Sequence, residues 1–290
     1  MESTYTFSFL TARDMPELHQ VFLEAFNDYF VPIQLTEEQF KTKLKRESID
    51  PAFCVAAFEG STIVGFILTG LGEFNGKPTA YNAGTGVLPD HRGHQLTRRM
   101  YAYLLPKLRE SGVEQCLLEV IQENEPAIKS YQATGFSTTR ALDCFRATKD
   151  ELLLYGDEPE DVAILPVTRP DWNTYQHFWD VEPTWQNTAA AIRNTPDEKI
   201  ILEARDASQE LAGYIVFLPK NGAILQFAVT PDKRGRGIGK ALLKQAMQQI
   251  IAPALLLINV DAAAVDFKTF LRRRHFNRFL GQYEMLMPLV

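Results

Sequence analysis

Three cysteines in 290 residues, none in a CxxC pair, leave little room for a disulfide framework or a thiolate metal site. Cys54, Cys116 and Cys144 lie in apolar, strand-like runs, so they read as buried thiols of a protein in a reducing cytoplasm. The five histidines form no HxxxH or HxH set, and no metal is expected. No apolar run is long enough to span a bilayer, so no membrane partner is expected. The opening Met-Glu-Ser-Thr-Tyr has no basic-then-apolar layout, so no signal peptide is expected. A net charge of −6 argues against nucleic acid as a partner. Hydrophobic residues at 46% describe a globular chain, and its length suits two domains.

The most informative stretch is 224–243. Ile224–Val229 suits a buried strand and Pro231-Asp232 ends it. Gly235, Gly237 and Gly239 follow among Lys233, Arg234, Arg236 and Lys240. Ala241, Leu242, Leu243, Ala246, Met247 and Ile250 then recur at helical spacing. A helix that starts in a glycine-rich basic loop offers unpaired N–H groups and a positive dipole end, a seat for a pyrophosphate. Two commoner phosphate loops are excluded by spacing. Arg234 stands where a Walker loop has its first glycine and Ala241 where it has its hydroxyl, while Lys240 stands where a Rossmann fingerprint has its third glycine.

The pattern Val-x-Pro-Asp-x-Arg-Gly occurs twice, at Val87–Gly93 and Val229–Gly235. Both copies precede a helical pattern, a buried strand (115–121 and 255–260) and a second helix ending before Phe136 or Phe276. A duplication of this period predicts two copies of one domain. The boundaries expected are 1–147 for the first domain, 148–162 for an acidic, proline-bearing linker and 163–290 for the second. Within the first, a capping signature at Thr36 opens a helix, and Gly60-Ser61 turns a hairpin. The C-terminal half is expected to close on two strands, 276–280 and 284–288.

Arg234-Gly235-Arg236-Gly237-Ile238-Gly239 resembles the acyl-CoA loop of the GNAT superfamily of N-acetyltransferases, whose pattern is Arg/Gln-x-x-Gly-x-Gly/Ala. Asn124 followed by Tyr131 and Gly135-Phe136 is similar to a second signature of that superfamily. The resemblance implies an α/β fold of two tandem GNAT-like domains, each a mostly antiparallel mixed sheet flanked by helices. It also implies acetyl-CoA as co-substrate and a primary amine, on a small molecule or a peptide, as acceptor. Attack would be direct, in a ternary complex. In the second copy the residues implied to hold acetyl-CoA are Val229, Arg234, Gly235, Arg236, Gly237, Ile238, Gly239 and Lys240. In the first they are Val87, Arg92, Gly93, His94, Gln95, Leu96, Thr97 and Asn124.

The copies are not equivalent. Gln95 and Thr97 replace two glycines in the first; Ala264 and Leu271 replace the Asn and Tyr in the second. The second copy is therefore better equipped to hold CoA and the first to carry the chemistry. Tyr131 would donate to the departing thiolate, and Glu119 would serve as general base directly or through water. Each has a plainer reading: Tyr131 as a core residue, Glu119 as a salt-bridge partner, Asn124 as a helix cap. The aromatic segment 172–185 is read as core ahead of pocket, and Arg272-Arg273-Arg274 as a solvated helix end. A non-catalytic acyl-CoA sensor or scaffold is the competing class. The oligomeric state stays open, a homodimer included.

Overall fold

Helix starts and stops follow local chemistry. Thr36 and Gln39 form a reciprocal capping box, each side chain bonded to the other's backbone N–H, and open α2. Asn124 caps α4 by accepting the Ala127 N–H at 3.2 Å, and Pro126 sits where its missing N–H costs nothing. Gly135, at φ 118°, ends that helix.

The computed structural model describes residues 5–30, 33–156 and 159–290. Residues 1–4, 31–32 and 157–158, the last pair inside the stretch 148–162 expected as a linker, fall outside the described residues. The first half of the chain runs β1 (Tyr5–Phe9), α1 (Met15–Ala25), α2 (Glu37–Arg46), β2 (Val55–Glu59), β3 (Thr62–Phe74), β4 (Lys77–Val87), α3 (Leu96–Glu110), β5 (Gln115–Ile121), α4 (Glu125–Thr134) and β6 (Ser137–Thr148). The second runs β7 (Val162–Pro166), α5 (Trp172–Tyr175), α6 (Ala189–Asn194), β8 (Ile200–Asp206), β9 (Leu211–Phe217), β10 (Ile224–Val229), α7 (Ile238–Gln249), β11 (Ala254–Asp261), α8 (Val265–Arg273) and β12 (Asn277–Pro288).

These elements form two units whose membership does not follow chain order. The first comprises Met1–Arg140, Arg193–Pro196 and Tyr283–Val290; the second comprises Ala141–Ile192 and Asp197–Gln282. Each half thus gives the end of its last strand to the other unit, and the division does not coincide with the expected 148–162 boundary. In the first unit Met285, Met287 and Leu289 are core residues alongside Leu104, Leu118 and Tyr131. In the second, Phe145 and Ala147 are core residues, as are Leu152 and Leu154. The latter two lie in the stretch read as a linker; their apolar side chains are buried, so this part of the chain is a piece of the second unit. The closing segment is also one continuous strand, β12, where two were expected.

In the first unit β1, β2, β3 and β4 pair antiparallel, and β5 joins β4 in parallel. The β4–β5 register runs from Thr79↔Gln115 to Asn82↔Leu118 and stops. One residue beyond, the β3–β4 register slips, leaving Ala83 as a bulge. The second unit repeats this. Its β7, β8, β9 and β10 are antiparallel, and β10 touches β11 at a single parallel bridge, Ala223↔Leu256. The β9–β10 register then slips at Leu225. In both units the two parallel strands part just before a bulge, and in both the mixed, helix-flanked sheet is the α/β arrangement expected.

Gly70 of β3 marks a close backbone crossing, since a Cβ there would lie 2.0 Å from the Glu47 carbonyl oxygen. Gly70→Ala is expected to destabilise the fold by about 2–4 kcal/mol, read from the urea midpoint, because one strand or the α2 terminus has to move. All three cysteines are free and buried, and burial pushes the Cys54 and Cys116 thiols up to about 12. No helix among the described residues is long and apolar enough to cross a membrane.

Candidate active site

The glycine loop of the second unit is shaped by its backbone. After a single 3-10 turn at Pro231–Lys233, Gly235 and Gly237 take φ of 79° and 86°, a region costly for a residue with a Cβ. Gly237 caps α7, and the first intrahelical bond runs from Ala241 N–H to its carbonyl. The N–H groups of Ile238 and Gly239, in the first turn, lie ahead of that bond. A side chain at Gly239 would press on the Phe270 ring at 3.3 Å, so glycine there also permits close packing of α7 on α8.

The loop cations are mostly engaged in holding the loop. Arg234 donates from Nε to the Val229 carbonyl (3.0 Å), from one terminal nitrogen to the Phe178 carbonyl (3.1 Å), and from the other to both Asp180 oxygens (2.9 Å each). Lys233 is paired with Asp206 and Glu210, and Lys240 is buried and donates to the Tyr155 carbonyl. Of the four expected cations, Arg236 alone is exposed at the loop tip.

The first unit's loop repeats the frame. Arg92 donates to the carbonyls of Val87 (3.2 Å) and Ala25 (3.1 Å) and makes a bidentate pair with Asp28, which holds the Asp28 carboxyl below the usual range. Gln95 occupies the Gly237 position with φ 56°, accepting left-handed strain to do so. Gly93 and His94 are exposed, Leu96 is buried in the core, and Thr97 is half-buried on the first turn of α3.

What differs is the gap where the parallel strands part. In the second unit it is an open cleft of about 570 Å³, within the range of small-molecule sites. Gly235, Gly237, Ile238, Gly239 and Lys240 line it with Phe267, Phe270 and Arg273 of α8 and Arg274 after it; Phe178, Trp179 and Asn187 line it from the preceding loops. Arg274 stacks over Phe270 at 5.4 Å, and its Nε is buried with no hydrogen-bond partner. The arginine run read as a solvated helix end thus reaches the cleft, and so do Phe178 and Trp179 of the aromatic segment. Tyr175 of that segment is core, stacked on Tyr214 at 3.7 Å.

In the first unit the corresponding gap is filled by the chain's own polar groups. Asn82 donates to Thr85 Oγ1 (2.8 Å) and to the Tyr101 hydroxyl (2.7 Å). Burial raises the Tyr131 phenol to about 12, with Thr85 and Asn82 as its hydrogen-bond neighbours. Tyr29, also raised by burial, is bonded to Asn124. The cavity beside Asn82 and Tyr101 measures about 10 Å³, enough for roughly one water.

Glu119 lies on the other face of β5 from Leu118 and Val120. It accepts the Tyr81 hydroxyl at 2.5 Å on one oxygen, and its other oxygen is buried without a partner. Burial, reinforced by Glu284 and Glu47 and opposed by the Tyr81 bond and Arg140, raises it to about 7. Those two carboxylates have cations of their own: Arg140 grips Glu284, and Lys43 and Arg46 grip Glu47. Glu119 has none bonded to it. Tyr131 packs with the α3 face, so the two residues approach the gap from opposite sides of the sheet. An ungapped register between the copies puts Asn259 opposite Glu119, Ala264 opposite Asn124 and Leu271 opposite Tyr131. Asn187, Asn259, Arg273 and Arg274 entered no sequence-based site; only the arginine run carried a signal.

The two tandem mixed sheets and the repeated loop are those of the GNAT class of acetyltransferases, and comparison with known proteins agrees. The model of the acetyltransferase (GNAT) family matches residues 16–136 and 165–267, and the chain belongs to that family, whose members use acetyl-CoA as co-substrate. Among curated proteins it is similar to the mycothiol acetyltransferase of Propionibacterium freudenreichii subsp. shermanii, 31% identical over 125 residues. That match covers 43% of this chain and 40% of the relative. The mycothiol acetyltransferase of Thermobifida fusca is 33% identical over 144 residues, covering 47% and 42%. The chain thus spans about two-fifths of the length of these relatives. Among solved structures, a tandem GNAT protein from the clavulanic acid biosynthesis pathway has a TM-score of 0.73 at 15% identity, covering 99% of both chains. A GCN5-related N-acetyltransferase from Sphaerobacter thermophilus has a TM-score of 0.74 at 16% identity, covering 98% and 96%. These structural likenesses concern the fold.

Proposed function

We propose that the protein is an acyl-CoA-dependent N-acyltransferase whose second unit seats acyl-CoA in its cleft and whose first unit, taking an acyl-CoA of its own at the Arg92–Thr97 loop, carries the transfer chemistry. The observation that carries the acyl-CoA seat is the open cleft bounded by the glycine loop. The N–H groups of Ile238 and Gly239 take the pyrophosphate, Arg273 and Arg274 flank it, and the parted strands β10 and β11 take the pantetheine arm. None of this needs a metal.

In the first unit, Glu119 is the base. With its carboxyl near 7 it takes a proton from the amine as nitrogen bonds to the thioester carbonyl carbon. The C–S bond breaks toward sulfur, and Tyr131, which stays protonated, donates a hydrogen bond to the departing thiolate. Transfer there requires Tyr131 to turn from Thr85 and Tyr29 to leave Asn124, opening the gap they fill. The acceptor is a primary amine on a small molecule or a peptide.

A second reading, a non-catalytic acyl-CoA sensor, is favoured by one observation: the unit with the cleft has Asn259 and Leu271 where the other has Glu119 and Tyr131. Amine-dependent release of CoA thiol from acetyl-CoA, assayed over a panel of primary amines, separates the two. Turnover lost in Tyr131→Phe supports transfer in the first unit. Tight acetyl-CoA binding with no turnover across the panel supports the sensor.

A further inference from the structure

Two buried asparagines on the floor of the second unit's cleft each keep one polar atom without a partner. Asn187 is 6% exposed and Asn259 is 5% exposed, both line the cleft, and the unpartnered atoms are Asn187 Oδ1 and Asn259 Nδ2. A buried polar atom left unsatisfied is costly, and native proteins keep few of them. Here one is an acceptor and the other a donor.

The surroundings fix which atom faces the cleft. Asn187 Nδ2 donates to the Ile258 carbonyl at 3.1 Å, and a carbonyl can only accept, so the amide cannot be reversed. The Asn187 backbone is held in turn by Gln226, which donates to its carbonyl at 2.7 Å. Gln226 accepts the Tyr214 hydroxyl at 2.8 Å, and Tyr214 accepts the Trp179 indole N–H at 2.5 Å. Asn259 Oδ1 accepts from Gln282 Nε2 at 2.7 Å and from the Cys144 thiol at 3.9 Å. Burial raises the Cys144 thiol, so it stays a donor. Asn259 also takes φ 59° at an irregularity in the β11 register, which turns this residue out of the ladder. The Asn187–Ile258 bond holds Asn187 against the β11 residue that precedes Asn259, and both side chains line the cleft.

We propose that Asn187 and Asn259 form a receptor for one secondary amide of the bound ligand. The ligand amide, trans, lies between them, its N–H bonding Asn187 Oδ1 on one edge and its C=O accepting from Asn259 Nδ2 on the other. An ester, a thioester or a phosphate has no N–H to match the first atom, and an ammonium has no carbonyl to match the second. The pantetheine arm of acyl-CoA carries secondary amides; an N-acylated product or a peptide is the other source of the same chemistry. The inference rests on the reading of this cleft as the acyl-CoA seat. It makes the floor of the second unit a specificity device built from neutral groups, at the position where the first unit has an ionisable carboxyl.

Asn259→Asp tests this with little change of shape. It keeps the oxygen that Gln282 and Cys144 use, tolerates the left-handed backbone, and replaces the ligand-facing donor with an acceptor. Asn187→Leu removes the other partner. The probes are acetyl-CoA and 3′-phosphoadenosine 5′-diphosphate, which keeps the nucleotide and pyrophosphate but has no amide. The expected result is acetyl-CoA binding weakened by about 10- to 100-fold in each variant, with binding of the nucleotide probe unchanged. Equal weakening of both probes overturns the proposal, as does unchanged acetyl-CoA binding, the result expected if a water bridges the two atoms.

Failure of the wild-type protein to bind acetyl-CoA is a different outcome and removes the acyl-CoA seat itself. Binding of N-acetyl-lysine amide that is sensitive to both substitutions then supports the amide receptor with the other source, and insensitivity ends it. Where a variant does not fold, the Asn259 side-chain NH₂ resonance of the wild-type protein reports directly. It shifts with acetyl-CoA and not with 3′-phosphoadenosine 5′-diphosphate, and a resonance indifferent to acetyl-CoA refutes the contact.

Discussion

Replacing Gly237 with glutamate is expected to weaken acetyl-CoA binding to the second unit by at least about 100-fold in a calorimetric titration, with little loss of helix. Gly237 sits at φ 86° immediately before the N–H groups of α7. A side chain there costs on the order of 1–2 kcal/mol of backbone strain. The first unit shows that the fold accepts such a cost, since Gln95 holds φ 56° at the same place. A carboxylate at a helix N-terminus is moreover favourable for the dipole. The helix therefore survives while the new carboxylate takes the N–H groups that a pyrophosphate needs and repels its charge. Gly237→Gln, which copies the first unit, should fall between wild type and Gly237→Glu. Unchanged affinity in Gly237→Glu would place the ligand elsewhere.

Glu119→Gln is expected to lower kcat/KM by about 100- to 1,000-fold, the usual worth of a positioned general base. The wild-type rate should climb with pH to a plateau above about 7, where the Glu119 carboxyl has ionised, and the climb should vanish in the variant. Stability moves in the opposite sense. The folded state raises this carboxyl from 4.5 to about 7, so it binds the proton more tightly than the unfolded chain does. Its contribution is intact below about 4.5 and is lost as pH rises through about 7, a change of up to about 3 kcal/mol. Glu119→Gln has no charge to bury, so urea unfolding should show it more stable than wild type at pH 9, relative to their difference at pH 4.5. A variant slower yet sturdier at high pH is the signature of a carboxyl kept for chemistry. A carboxyl kept as a salt-bridge partner would give a variant weaker at high pH.

The parts of this fold written in neighbouring residues were legible in the sequence. The capping box at Thr36–Gln39, the span of β5 and the two Val-x-Pro-Asp-x-Arg-Gly loops depend on contacts a few positions apart. What depended on distant partners was not legible. Arg92 and Arg234 read as ligand-binding cations because Asp28 and Asp180, 64 and 54 residues away, could not be assigned to them. Arg274 read as solvated because its stacking on Phe270 and its place on the cleft follow from how α8 lies against the glycine loop. Asn187 and Asn259 carry no pattern at all; they come together where two strands part. The filled gap of the first unit was equally silent, since Asn82, Thr85, Tyr101 and Tyr131 meet only through packing.

The last strand bears on how the molecule comes into being. Met285, Met287 and Leu289 belong to the core of the first unit, and the Leu289 N–H bonds the Glu114 carbonyl at 2.8 Å. A ribosome therefore releases the amino-terminal half well before that half can close. At about 5–20 residues per second, the 150 residues between Arg140 and Val290 take roughly 8–30 seconds to emerge. For that interval the apolar face awaiting those three side chains lacks its native cover. Damage to β12 is a lesion of the unit made first.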